Sequence, residues 1–167
     1  EVYPWGLTQL KPGGLAILPQ YPGRLDRHGI QPNRALALWP YTRINDPRLR
    51  LGDRYVRVHC DPGNADSLKI GYANLRGWLA YHRAGTLFVK HAPYRFAARY
   101  ADLGCSAEVY ANDRFVELED MAPLRTLDTC DDSVLVETWR VYPDTAYDGS
   151  EDAAAVLADE LGLDRMS

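Results

Sequence analysis

The chain has 167 residues, of which 46% are hydrophobic and 25% charged, a composition typical of one globular domain with an apolar core. Its formal net charge of −4 at pH 7 argues against binding to nucleic acid or to an anionic membrane surface. No apolar run approaches the roughly 20 residues that span a bilayer, and residues 1–4 lack the pattern of a signal peptide, so we expect a cytoplasmic protein. A start at Glu1 rather than at a methionine is compatible with a fragment of a longer chain.

Segments rich in Val, Leu, Tyr, Phe and Trp recur between turns marked by glycine and proline, which is typical of all-β proteins. We therefore predict an antiparallel β-sandwich or barrel, with element boundaries accurate to about two to four residues. In chain order, the predicted strands are Gly14–Leu18, Ala35–Trp39, Tyr55–Cys60, Ser67–Gly71, Trp78–His82, Thr86–Lys90, Ser106–Ala111, Phe115–Glu119 and Val134–Val141.

The C-terminal residues carry the signals of one helix. Ser150 is a suitable N-cap, the acidic residues at 151–152 suit the positive end of a helix, and an apolar stripe follows over residues 156–161. We predict a β-sandwich domain over residues 1–145 and a helix with a tail over residues 146–167.

The three cysteines give no sign of a metal site. Cys60, Cys105 and Cys130 lie far apart, and none belongs to a CxxC pair. A structural zinc site needs about four converging ligands. We therefore predict free thiols, no metal ligands and no cofactor.

The alternation around Gly85 predicts a hairpin with a three-residue loop, residues 83–85, because glycine tolerates the left-handed conformation that such a loop requires. In that register Leu79 faces Val89, and Trp78 and Lys90 lie together on the opposite face. An aromatic ring beside a charged group is typical of sugar sites, since the ring covers C–H groups and polar groups bind hydroxyls. The alternative is a second buried face from which Lys90 reaches water.

A second hairpin is predicted to turn at residues 112–113. Glu108 would then lie opposite Glu117, with Glu119 further along the same face. Carboxylates this close are separated by water or a cation, or one of them has a raised pKa and can act as an acid or a base near neutrality. The alternative is a solvated face of the sheet.

Several short motifs occur in order along the chain. They are Leu38–Thr42, Asn45–Arg48, Lys69–Tyr72, Gly77–Tyr81, Leu87–Lys90 and Glu108–Asn112. From about residue 5 to residue 142, the chain resembles a group of uncharacterised bacterial proteins in the galactose mutarotase (aldose 1-epimerase) superfamily. The resemblance implies the C-terminal part of a galactose mutarotase-like super-sandwich, because the whole fold needs about twice this length.

The resemblance also implies a catalytic residue. In true mutarotases a glutamate in a Leu-Glu step removes the proton from the anomeric hydroxyl, and a histidine protonates the ring oxygen. The matching residue here is Glu119, which follows Leu118. Residues 120–123 differ from the mutarotase pattern, and neither His28 nor His59 lies in a recognisable form of the histidine motif, so the acid is not identified.

Two functions are compatible with these residues, and the sequence does not distinguish between them. One is an aldose 1-epimerase-like reaction at the anomeric centre of a sugar, and the other is a non-catalytic carbohydrate-binding or interaction domain. The candidate substrate-binding residues are Trp78, Lys90, Lys69, Glu117, Glu108 and Asp61. The expected partners are a carbohydrate ligand and either a second copy of the chain or an N-terminal segment that would complete the sandwich.

Overall fold

The computed structural model describes residues 1–165 and shows an all-β domain followed by one short helix. The strands are β1 (Trp5–Leu10), β2 (Leu15–Pro19), β3 (Leu36–Leu38), β4 (Leu49–Arg50), β5 (Tyr55–His59), β6 (Leu68–Tyr72), β7 (Trp78–Arg83), β8 (Thr86–His91), β9 (Ala107–Ala111), β10 (Val116–Met121) and β11 (Thr138–Tyr142). The prediction of an all-β fold is confirmed. Strands β1 and β4 were not predicted, and β11 begins four residues later than predicted.

The strands form two antiparallel sheets that pack face to face as a sandwich. The five-stranded sheet has the order β1-β10-β9-β6-β3, and the six-stranded sheet has the order β11-β8-β7-β2-β5-β4. Alternate residues of both sheets, among them Leu79, Ile70, Val109 and Leu118, fill the space between them. Because side chains alternate along a strand, the residues between these on β6, β9 and β10 face outward.

The outer face of the six-stranded sheet is covered by helix α1 (Glu151–Glu160) and the short turn of helix at Leu163–Arg165. Ala154 and Ala158 of α1 pack on this sheet. The helix begins as predicted, with the Ser150 side chain accepting a hydrogen bond of 3.0 Å from the backbone N–H of Ala153. Within residues 1–165, no helix combines the length and the apolar composition needed to cross a membrane.

The β7–β8 hairpin differs from its predicted register by one residue. Its turn contains only Ala84 and Gly85, which both have positive φ, 48° and 74°, as in a type I′ turn. Leu79 therefore pairs with Lys90 instead of Val89. A shift of one residue exchanges the two faces of a strand, so the prediction that Trp78 and Lys90 share a face is wrong.

The β9–β10 hairpin differs from its predicted register by two residues. Glu119 lies opposite Glu108, and Glu117 lies opposite Tyr110. A shift of two residues keeps every side chain on its predicted face. The prediction that Glu108, Glu117 and Glu119 share one face is therefore confirmed, and that face is the outer face of the five-stranded sheet.

Candidate functional site

The outer face of the five-stranded sheet carries a cation between two buried carboxylates. The Lys69 Nζ atom on β6 is 2.7 Å from Glu108 Oε2 on β9 and 2.9 Å from Glu119 Oε2 on β10. Both glutamate side chains are fully buried, and that of Lys69 is 10% exposed. The three charges meet because β6, β9 and β10 are neighbours in the sheet.

Two tryptophans lie on either side of this cation. The Lys69 Nζ atom is 4.9 Å from the ring centroid of Trp5 and 4.8 Å from that of Trp39. The Trp5 Nε1–H group also donates a hydrogen bond of 2.9 Å to Glu119 Oε2. Trp5 is 46% exposed and Trp39 is half-buried, so each indole has both a contact with Lys69 and a surface open to solvent. Cation–π contacts of this kind stabilise an ammonium group by about 1–2 kcal/mol when water is partly excluded.

The buried charges perturb one another. Burial raises the pKa of Glu108 to about 7, although the hydrogen bond and charge of Lys69 oppose the rise. Burial also raises the pKa of Glu119, again against the effect of Lys69. Burial lowers the pKa of Lys69, but its bonds to the two carboxylates outweigh burial, and the net shift is upward. Lys69 therefore stays charged while Glu108 exchanges a proton near neutral pH.

Three carboxylate oxygens in this cluster have no hydrogen-bond partner among residues 1–165. They are Glu108 Oε1, Glu119 Oε1 and Glu108 Oε2, and the last of these forms the ion pair with Lys69. A buried acceptor without a donor costs about 1–3 kcal/mol, and more when it is charged. A proton shared by the pair reduces that cost, which is consistent with the upward pKa shifts of Glu108 and Glu119.

Aromatic and polar side chains surround the cluster on the same face. The Tyr110 hydroxyl is 2.7 Å from Ser67 Oγ, and the Tyr41 ring meets the Tyr110 ring edge to face at 6.4 Å. On the opposite side, Gln9 Nε2 donates a hydrogen bond of 3.1 Å to Glu117 Oε1. The outer face therefore presents aromatic rings, a hydroxyl group, an amide and a carboxylate around Lys69.

Three of the predicted binding residues, Trp78, Asp61 and Lys90, lie away from this face. Trp78 is buried between the six-stranded sheet and helix α1, where its Nε1–H donates a hydrogen bond of 2.8 Å to Asp164 Oδ1. Asp61 lies in the turn after β5, and its Oδ1 accepts a hydrogen bond of 2.8 Å from the backbone N–H of Gly63. The expectation that Trp78 stacks on a sugar is not compatible with its burial.

Lys90, another predicted binding residue, lies inside the sandwich. Its Nζ atom is 3.0 Å from Glu137 Oε1, 3.3 Å from Asp120 Oδ2 and 3.0 Å from the Leu118 carbonyl oxygen, to which it donates a hydrogen bond. It also donates to Thr8 Oγ1 at 3.0 Å. Burial raises the pKa of Asp120 to about 7, and the Lys90 charge opposes the rise. Lys90 thus links the two sheets across the core and does not reach the outer face.

Trp5 and Trp39 were not predicted as site residues. A signal for Trp5 was present, because Trp5, Leu7 and Gln9 alternate with smaller or buried residues along β1. Trp39 belongs to one of the ordered motifs, Leu38–Thr42. Neither signal alone indicates that the two indoles meet at Lys69, since that contact depends on which strands are neighbours.

Among residues 1–165, no group of three or more His, Cys, Asp or Glu side chains is arranged to hold a metal ion. Cys60, Cys105 and Cys130 are free thiols, as predicted. Comparison of the chain with protein families, with curated proteins and with solved structures found no match. The resemblance to the galactose mutarotase superfamily therefore rests on the sequence motifs alone.

Proposed function

We propose that the chain binds a carbohydrate on the outer face of the five-stranded sheet, over Trp5, Lys69 and Trp39. The observation that carries this proposal is the pair of partly exposed indole rings on either side of a charged centre. Indole rings pack against the C–H groups of a sugar ring, and nearby polar groups bind its hydroxyls. Gln9 and Glu117, which flank the cluster, offer such polar groups.

The geometry favours binding without catalysis. A general base must come within about 3 Å of the proton that it removes. Glu119 has no exposed surface, and its Oε2 atom already accepts hydrogen bonds from Trp5 Nε1 and Lys69 Nζ. In this arrangement the two glutamates hold Lys69 in place, and Glu119 also anchors the Trp5 ring against which the sugar would pack.

A second candidate is the epimerase-like reaction. It is supported by the raised pKa of Glu108, about 7, and by the unpartnered Oε1 atoms of Glu108 and Glu119. The reaction would require the Trp5 ring and the Lys69 side chain to move aside. Glu119 would then take the proton of the anomeric hydroxyl, and protonated Glu108 would donate to the ring oxygen.

Sugar binding is tested by tryptophan fluorescence in titrations with a panel of neutral monosaccharides. We expect a saturable change in the parent chain and about 10-fold weaker binding in Trp5→Ala, since a stacked ring contributes about 1 kcal/mol or more. Trp139→Ala is the matched control, because Trp139 is 56% exposed but lies on β11 of the other sheet. No response to any sugar, or an equal loss in both variants, would overturn the proposal.

Catalysis is tested by polarimetry with sugars that bind. Interconversion of anomers above the spontaneous rate in the parent chain, reduced about 100-fold or more in Glu119→Gln, would favour the second candidate. Binding with no acceleration would favour the non-catalytic function. Glu119→Gln keeps the shape of the side chain, so a fluorescence titration of the same variant shows whether the site is still formed.

A further inference from the structure

We propose that a separate pocket beyond the end of β10 binds an oxyanion, namely a phosphate or carboxylate group of a small molecule. The pocket has a volume of about 640 Å³ and is lined by Arg95, Arg99 and Arg125. Volumes of about 300–1,000 Å³ are typical of small-molecule sites. The pocket shares no lining residue with the Trp5–Lys69–Trp39 face, so this proposal does not depend on carbohydrate binding.

The charges in the pocket are only partly compensated. Within the described chain, the Arg95 side chain has no ion-pair partner, and Arg125 Nη1 donates to the Asp132 backbone carbonyl at 2.9 Å, which leaves its charge unpaired. Arg99 pairs with Glu1 at 2.9 and 3.1 Å. Of the three arginines, only Arg99 forms an ion pair, so the pocket lining carries excess positive charge in a chain whose net charge is −4.

Backbone contacts, rather than ion pairs, bring the arginines together. The Leu124 N–H donates to the Arg99 carbonyl at 2.8 Å, and Arg125 forms an isolated antiparallel bridge with Val2. Ala97, between Arg95 and Arg99, has a positive φ of 62°, which turns the chain within the pocket wall. This backbone conformation is unfavourable for a residue with a Cβ atom. The backbone conformation between Arg95 and Arg99 is therefore stabilised by contacts with the rest of the fold and not by local backbone preference.

The residue type indicates the ligand chemistry. A guanidinium group presents several N–H donors in one plane and binds phosphate or carboxylate oxygens in pairs. Lysine would supply charge without this geometry, and all three basic residues of the pocket are arginines. A phosphate ion alone would leave most of the volume empty, so the anionic group is expected to belong to a larger molecule.

The proposal is tested by NMR titration of the chain with inorganic phosphate and, separately, with acetate, at constant ionic strength set with chloride. We expect saturable shifts of the amide signals around residues 95–99 and 122–133. Arg95→Gln should weaken binding about 10-fold or more, because it removes a charge-assisted hydrogen bond to the oxyanion. Arg114→Gln is the matched control, since Arg114 is an exposed arginine in the β9–β10 turn.

The two anions distinguish the source of the oxyanion. Binding of phosphate but not acetate assigns a phosphate group, and binding of both extends the site to carboxylates. Glu1→Gln should strengthen binding, because it releases Arg99 from its ion pair. The proposal is overturned if neither anion gives saturable shifts, or if Arg114→Gln weakens binding as much as Arg95→Gln does. Trp5→Ala should bind phosphate as the parent chain does, which separates this site from the carbohydrate face.

Discussion

The buried carboxylate of Glu108 makes the stability of the fold depend on pH. Burial raises its pKa from 4.5 to about 7. At pH values between these two pKa values, the folded chain holds a proton that the unfolded chain has released, so the free energy of unfolding falls as pH rises. At about 1.4 kcal/mol per pH unit, the pKa difference lowers the free energy of unfolding by about 3 kcal/mol between pH ~4.5 and pH ~7. Glu108→Gln, which cannot ionise, should remove this contribution.

The assay is urea unfolding of the parent and Glu108→Gln chains at a series of pH values from about 5 to about 8. The parent should lose stability across the series, and the variant should lose less. Some dependence will remain in Glu108→Gln, because burial also raises the pKa values of Glu119 and of Asp120, the latter to about 7.

Glu117→Gln is the matched control for this measurement. Glu117 lies on the same strand face as Glu119 but is only half-buried and is hydrogen-bonded to Gln9. We expect this variant to keep most of the parent's pH dependence, because Glu108 is still present. A Glu108→Gln profile parallel to the parent's between pH ~5 and ~8 would refute the assignment of Glu108 as a carboxyl group with a raised pKa. The comparison with the variant is needed because burial lowers the pKa of His91, which makes stability rise with pH in this range.

Two further variants test the core and a turn by urea unfolding. Lys90→Met removes the buried cation between Asp120 and Glu137 and should lower the free energy of unfolding by about 3–5 kcal/mol. Adding Asp120→Asn should restore part of this loss, because it removes a carboxylate left without its cation. A loss below about 1 kcal/mol in Lys90→Met would contradict the buried pairing. Ala84→Asn should stabilise the chain by about 0.5–1 kcal/mol, because asparagine tolerates the positive φ of this turn better than alanine. A destabilising effect of Ala84→Asn would argue against the two-residue turn.

The two hairpins show how far alternation alone can predict a face. Both were assigned the wrong register, since turn residues do not determine loop length uniquely. The β9–β10 error was two residues and kept Glu108 and Glu119 on one face, whereas the β7–β8 error was one residue and placed Lys90 on the wrong face. The carboxylate cluster was therefore predictable from the sequence, and the location of Lys90 was not.

The aromatic part of the candidate site depends on strand order. Trp5, Lys69 and Glu119 come from three strands, β1, β6 and β10, that lie far apart in the sequence. Alternation indicates which residues share a face of one strand, but it carries no information about which strands become neighbours. The order β1-β10-β9-β6-β3 is a property of the whole chain, so the contact between the indoles and Lys69 could only be found in the structure.

The pairing of β1 with β10 has a consequence for how the protein folds. Trp5 and Glu119 are 114 residues apart in the sequence, so β1 cannot pair with β10 until the residues between them have been synthesised. Contacts this distant close slowly, and all-β folds with many such contacts fold in about milliseconds to seconds. Until β1 pairs, β10 is an open edge on which another strand can add. The step that brings Trp5 to Lys69 thus also covers β10 and leaves β1 as the edge strand of this sheet.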